Sequence, residues 1–523
     1  MPFTRRDFLR NTGAAVAGAC FFPLFRQERP LWALGLPRSI PEAQGVSSRD
    51  LLAFLEAVEQ SPHEFHGLMV LRHGHVIAEG WWAPYRPDLN HSLYSMSKSF
   101  TATAIGFAAA AGHFSLDDKV VSFFPDDLPG EVSENLAAMT LRHLLTMSVG
   151  HATDTTWDMV QSENWVRKFL SYPVEKSPGT EFLYHSGATY MLSAILQKAT
   201  GKNLLEWLTP RLFKPLGIEG ATWETCPLDI PTGGWGLRLK TEDLAKFGQL
   251  YLQGGKWDGF QILPAGWVEE ATGFKIENGL PEARDTSDWA QGYCYQFWRS
   301  RHNSYRGDGA FGQYTLVLPE QDAVIAIHSE SPDMQGQLNL VWSHLLPAMK
   351  NGPLPPDLPA EKALRRKLGS LAIAPPQRLP DSPLARQFSG KTLDAEPNEN
   401  GVQSLRFDFG EKTCVFTLKS HLGEFAIEAG INEWRRGETR MPGTPPDLFP
   451  IPYEKLTTSK VAATAGWEDE HKFLMYVQFY ETAHHDIITC RFDGDGVAVN
   501  FLNSVSKMLP DWIPEKRAAL RCK

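Results

Sequence analysis

The sequence predicts an α+β protein with a separate β-rich tail, and three observations carry that prediction. Helical and strand patterns alternate between residues 40 and 350. Eight prolines then crowd into residues 353–383, and beyond them come short alternating segments parted by Gly, Asn and Asp. The mixed region opens on two apolar runs, 66–70 and 76–82, flanking Gly74, which read as a hairpin. Residues 95–111 are rich in Ala, Ile and Phe and read as a buried helix stopped by Gly112. Helices follow at 189–199, stopped by Gly201, and at 241–252, where Glu242 and Asp243 favour the positive first turn. Residues 315–327 have strand character broken by a turn at Pro319–Asp322. The proline density from 353 to 383 fits no continuous element, so this stretch is a linker around a short basic helix at 362–368. In the tail, 404–409, 413–418, 472–480 and 485–492 alternate as in a small antiparallel barrel or sandwich.

Composition narrows the function. Of 523 residues, 42% are hydrophobic and 21% charged, which is globular usage, and a net charge of −10 gives no grip on nucleic acid or anionic lipid. Six Cys without a Cys-x-x-Cys pair argue against a zinc framework or dense disulfides. No apolar run is long enough for a membrane span. The first 35 residues read as an address: Arg5–Arg6 precede Phe8–Leu9 and an apolar stretch that Arg26 closes. This is the pattern of a twin-arginine export signal, with cleavage after Ala19 or Gly35, and it places the chain in the periplasm or outside. Cys20 after Ala19 is a poor lipid-anchoring site. The expected organisation is a signal segment over 1–35, a catalytic domain over 36–350, a linker over 351–383 and a β domain over 384–523.

The chemistry points to Ser95 and Lys98. Three apart on a helix, they share one face, and a buried Lys near a helix N-terminus can lose its proton and activate the hydroxyl. The pattern alone is weak, because the chain repeats it at Ser504-Val505-Ser506-Lys507 near its end. Two downstream stretches strengthen the first copy: Tyr184-His185-Ser186-Gly187 just before a helix, and Arg306-Gly307-Asp308-Gly309-Ala310 before a strand. Together with Leu71-Arg72-His73-Gly74, Leu144–Ser148, Pro215-Leu216-Gly217, Gly234–Leu237, Asp243–Gly248 and Gly312-Gln313, these motifs resemble the serine β-lactamase and penicillin-binding-protein superfamily. The resemblance is to its class C-like, esterase-like members and covers about residues 40–350.

That resemblance implies a β-lactamase-like antiparallel sheet with helices on both faces, followed by a lipocalin-like barrel. It implies Ser95 as acylated nucleophile, Lys98 as its proton partner and Tyr184 as a proton shuttle, held partly as phenolate by the nearby ammonium. The oxyanion hole is expected from the N–H groups of Ser95 and Ala310. Gly309 is expected to let the strand approach substrate, and Ser186, Gly307, Asp308 and Gly309 to line the substrate. Two departures bear on specificity: Ser186 stands where many members have Asn, and Gly307-Asp308-Gly309 replaces Lys-Thr-Gly or His-x-Gly. No cation then grips a substrate carboxylate unless Arg306 or Arg238 supplies one. The expected activity is hydrolysis of a small ester, amide or peptide with no cofactor and no metal. A β-lactamase, a penicillin-sensitive D-Ala peptidase and a non-catalytic binding protein are the alternatives. His73-Gly74-His75 reads as a surface turn and His484-His485-Asp486 as a solvated loop. His63-Glu64-Phe65-His66 is one residue short of a helical zinc motif.

Overall fold

The computed structural model describes residues 35–449 and 456–523, so the signal segment and Cys20 lie outside the described residues. Residues 36–523 form one unit. Its first helix, α1 (Ser48–Gln60), is capped by the Ser47 side chain. The hairpin follows as β1 (Glu64–Arg72) and β2 (His75–Trp81), turning through left-handed His73 and Gly74. Next come α2 (Ser97–Ala110), α3 (Ser186–Thr200) and α4 (Thr241–Leu252). Four strands complete the sheet: β3 (Trp298–Ser300), β4 (Ser304–Gly309), β5 (Gln313–Leu318) and β6 (Ala323–Glu330). All pairs are antiparallel, in the order β2-β1-β6-β5-β4-β3.

Both faces of this sheet are apolar because successive strand residues point to opposite sides. Met69 and Leu71 of β1 and Val324 and Ala326 of β6 join the core built with α2, α3 and α4. Leu68 and Val70, with Ile325 and Ile327, join a second core under α1. The proline-rich stretch differs from a free linker. Pro359 occupies the first turn of α5 (Leu358–Gly369), where no N–H is needed, and Leu364 and Leu371 bury into the second core.

The tail forms a ten-stranded sheet from Thr392–Asp394 to Leu520–Cys522 around its own core of Phe407, Phe416, Trp467, Phe473 and Phe492. It is nearly closed, since Asp394 and Lys523 exchange backbone hydrogen bonds between the first and last strands. It is not wholly antiparallel: Gly430–Ile431 run parallel to Thr464–Ala465. His484-His485-Asp486 is not a solvated loop. His484 and Asp486 are buried, and Glu330 at the end of β6 accepts hydrogen bonds from His484, His485 and Ser504. The two histidines meet a buried carboxylate far away in the chain, and Asp486 pairs with Arg517. The second Ser-x-x-Lys copy resolves in the same place: Ser504 is spent on Glu330, and Lys507 is exposed.

Candidate active site

Ser95 sits not inside α2 but in the 3-10 turn Tyr94–Met96 that leads into it. The approach is a two-residue strand, His91–Ser92, paired with Leu239 and Arg238. Tyr94 then takes a left-handed conformation, φ 47°, that turns the chain into the helix. Because α2 is buried along most of its length, Lys98 is only 1% exposed. Its Nζ donates to Ser95 Oγ at 2.9 Å, to Ser186 Oγ at 3.0 Å and to the Gly234 carbonyl at 2.7 Å. Burial lowers the Lys98 pKa to about 7, although the charges of Asp154 and Asp308 pull it back up. Near neutral pH a large share of the amine is therefore free to accept the Ser95 proton.

Tyr184 completes the cluster. Its hydroxyl neighbours Ser95, its ring stacks on Trp298 with centroids 5.4 Å apart, and Lys98 Nζ lies 4.8 Å from the ring centroid. The direction of the Tyr184 shift runs against the expected partial phenolate. Burial pushes the phenol well above its ordinary value, the Ser95 side chain opposes this, and Asp308 and Asp154 push it higher. Burial therefore favours the neutral phenol over the phenolate at Tyr184. Ser186, the first residue of α3, faces Lys98 and is 4% exposed.

β4 forms the opposite wall. A Cβ on Gly309 would stand 2.1 Å from the Leu93 carbonyl oxygen, so the strand is pressed against the backbone two residues before Ser95. Glycine is needed here for that backbone contact. The contact brings the Ser95 turn and Ala310 close together, as an oxyanion hole requires. Gly309→Ala is expected to cost about 1–3 kcal/mol by overpacking and to lower ester turnover more than tenfold. A thermal melt read beside a rate assay checks both effects.

Arg306 is not free to bind a substrate carboxylate, and Arg238 is already engaged by one acid. Arg306 is fully buried, its Nε donates to Asp308 Oδ2 at 2.8 Å, and it also reaches the Asp288 carbonyl and Ser300 Oγ. Its guanidinium lies over Trp289, 4.5 Å from the ring centroid. Arg238 pairs with Glu224 at 3.2 Å. Asp154 escaped sequence reasoning because no motif marks it; it faces His185 and acts on Lys98 through space. Among the described residues, Glu64, Glu330 and His485 place possible metal-ligand atoms within 4.8 Å of one another. Both carboxylates are already matched by donors, Glu64 by His66 and Glu330 by His484, His485 and Ser504. Cys226, Cys294, Cys414, Cys490 and Cys522 are free thiols.

The family model described as Beta-lactamase matches residues 55–342, more than half of the chain and the part that holds this cluster. The chain belongs to the β-lactamase family. This is a family of serine hydrolases on the β-lactamase and penicillin-binding-protein fold. The chain is 27% identical to the 6-aminohexanoate-dimer hydrolase of Paenarthrobacter ureafaciens over 51% of its own length and 72% of that protein. It is 25% identical to penicillin-binding protein 4 of Amycolatopsis lactamdurans over 45% of its length and 70% of that protein. Esterase EstB of Burkholderia gladioli is 26% identical, over 34% of this chain and about half, 53%, of the esterase. Among solved structures, the octameric penicillin-binding protein homologue from Pyrococcus abyssi superposes with a TM-score of 0.46 at 15% identity. That match covers 90% of this chain and 99% of the other.

Proposed function

We propose that this β-lactamase-family chain is an exported serine hydrolase that cleaves an ester or amide of an uncharged acyl group through an acyl-enzyme on Ser95. The observation that carries this reading is the buried Lys98 amine, 2.9 Å from Ser95 Oγ and with a pKa of about 7. Neutral Lys98 takes the Ser95 proton as Oγ attacks the carbonyl. The oxyanion gathers hydrogen bonds from the N–H groups of Ser95 and Ala310, each worth about 10²–10³ in rate. Tyr184, beside Ser95, relays the proton to the leaving group, and water then attacks the acyl-enzyme by the reverse relay. The pairing of Arg306 with Asp308 and of Arg238 with Glu224 favours an uncharged acyl group over a carboxylate-bearing β-lactam or stem peptide. Arg5–Arg6 support export, and the nearly closed tail supports a lipocalin-like module carried beside the catalytic domain.

Intact mass after a fluorophosphonate, and separately after a penicillin, tests this reading. A single adduct with the first reagent, absent in Ser95→Ala, is expected, with ester turnover falling at least about 10³-fold in that variant. A stable penicilloyl adduct would shift the reading to a cell-wall enzyme. Unchanged turnover in Ser95→Ala would remove Ser95 as the nucleophile.

A further inference from the structure

We infer that His484, contributed by the C-terminal barrel, is a positioning residue for the oxyanion hole, bracing both of its halves from behind. The inference rests on the proposed function, because it takes the N–H groups of Ser95 and Ala310 as the donors. Each donor has an aromatic neighbour in the left-handed region: Tyr94, φ 47°, precedes Ser95, and Phe311, φ 65°, follows Ala310. Bulky residues hold such a conformation only when their surroundings enforce it.

The surroundings come from two directions. Tyr94 and Phe311 meet edge to face with centroids 5.5 Å apart, and the His484 ring packs on both, at 5.6 Å from Tyr94 and 4.7 Å from Phe311. His484 is fully buried, and tail residues Ala483, Val505 and Ile513 close the same apolar cluster. The imidazole cannot turn freely because Nδ1 donates to Glu330. Burial opposes ionisation of Glu330, but hydrogen bonds from His484 and His485 outweigh it and hold the carboxyl well below the usual range. An ionised carboxylate only accepts, so Nδ1 of His484 carries the proton.

The residues beside Glu330 grip the loop itself. Ser329 Oγ donates to the carbonyls of Phe311 and Gly312 at 3.0 and 2.6 Å, and Ser331 N–H donates to that of Phe311 at 3.0 Å. On the Ser95 side, Ser92 N–H donates to the tail carbonyl of Glu481 at 3.1 Å. The carboxylate that fixes His484 thus belongs to the strand end that fixes the Ala310 loop, and the ring it fixes touches both flanking aromatics.

The test uses the full chain with a p-nitrophenyl ester as substrate and phenylboronic acid as a transition-state mimic. His484→Ala is expected to lower kcat on the order of 10²-fold, since both donors are displaced, with KM within about threefold. Boronate affinity should weaken in parallel with kcat/KM. His484→Phe restores the ring and should recover part of the loss, and Glu330→Gln, close in size to Glu, should lose about tenfold. Trp512→Ala, 71% exposed on the same tail, should keep the wild-type rate. The inference falls if His484→Ala folds and keeps kcat, if boronate affinity stays fixed while kcat drops, or if Trp512→Ala loses as much. If His484→Ala does not fold, an unchanged kcat in both His484→Phe and Glu330→Gln overturns it. If wild type takes a fluorophosphonate on Ser95 while these variants keep full rate, only this inference fails. If wild type takes none, the proposed function fails and this inference with it.

Discussion

Lys98→Met is expected to lower kcat/KM for ester hydrolysis by about 10²–10⁴, the usual worth of a positioned general base. It is also expected to abolish the acid limb of the pH profile. In the wild type the active form carries a neutral Lys98, and the pKa of about 7 sets the pH below which that form is lost. The wild-type rate should therefore climb tenfold per pH unit below about 7 and level off above it. In Lys98→Met no titrating base remains, so the residual rate should be flat through that window. Asp154→Asn gives an internal check. The Asp154 charge raises the Lys98 pKa, so removing it should move the limb to lower pH. A Lys98→Met profile that still turned near pH 7 would assign the titration to another group. Methionine fills the lysine volume, so Ser186 and the Gly234 carbonyl lose a donor without a large cavity opening.

The second large effect concerns stability. Arg306→Met is expected to destabilise the fold by about 3–5 kcal/mol, because it strips the buried Asp308 carboxylate of its partner. Burial already pushes the Asp308 carboxyl up despite the guanidinium beside it. Without Arg306 the folded protein would bind a proton at Asp308 more tightly than the unfolded chain does. The variant then loses stability as pH rises and recovers part of it as pH falls. Urea titrations followed by Trp fluorescence at pH 5 and pH 8 should show a wider gap to wild type at pH 8. A gap that is equal at both values would mean that Asp308 does not titrate in the variant.

How much of this was legible in the sequence depends on the length scale of each interaction. The hairpin around Gly74, the helix from Thr241 to Leu252 and the turn between β5 and β6 follow from local pattern and turn chemistry, and they lie where the pattern puts them. Ser95 and Lys98 come together as their spacing implies, although the helix starts two residues later than expected. The turn of Tyr94 and the pressure of Gly309 on Leu93 involve the backbone of a distant strand, which no local pattern encodes. Arg306 and Asp308 alternate on one strand and so share a face, which spacing does allow, but Trp289 and Trp298, which lie against the Arg306 guanidinium, are not marked by any local pattern. His484 and His485 were misread because polar residues in a Gly- and Asp-rich tail look solvated. Their partner, Glu330, is 154 residues away from His484 and is itself unremarkable in sequence.

The seam between tail and sheet also bears on the order in which the molecule is made. β1 pairs with β6, and His63 reaches Ser331 across 268 residues, so the central sheet cannot close until the chain has been synthesised past residue 330. The seam then waits longer, because Gln478 meets Glu64 across 414 residues and Glu330 draws on Ser504. The chain must therefore be made past residue 504 before the groups around Ser95 acquire their final neighbours. Growing chains, and fragments truncated in the last strands, would carry Ser95 and Lys98 without the frame that holds the hole behind them.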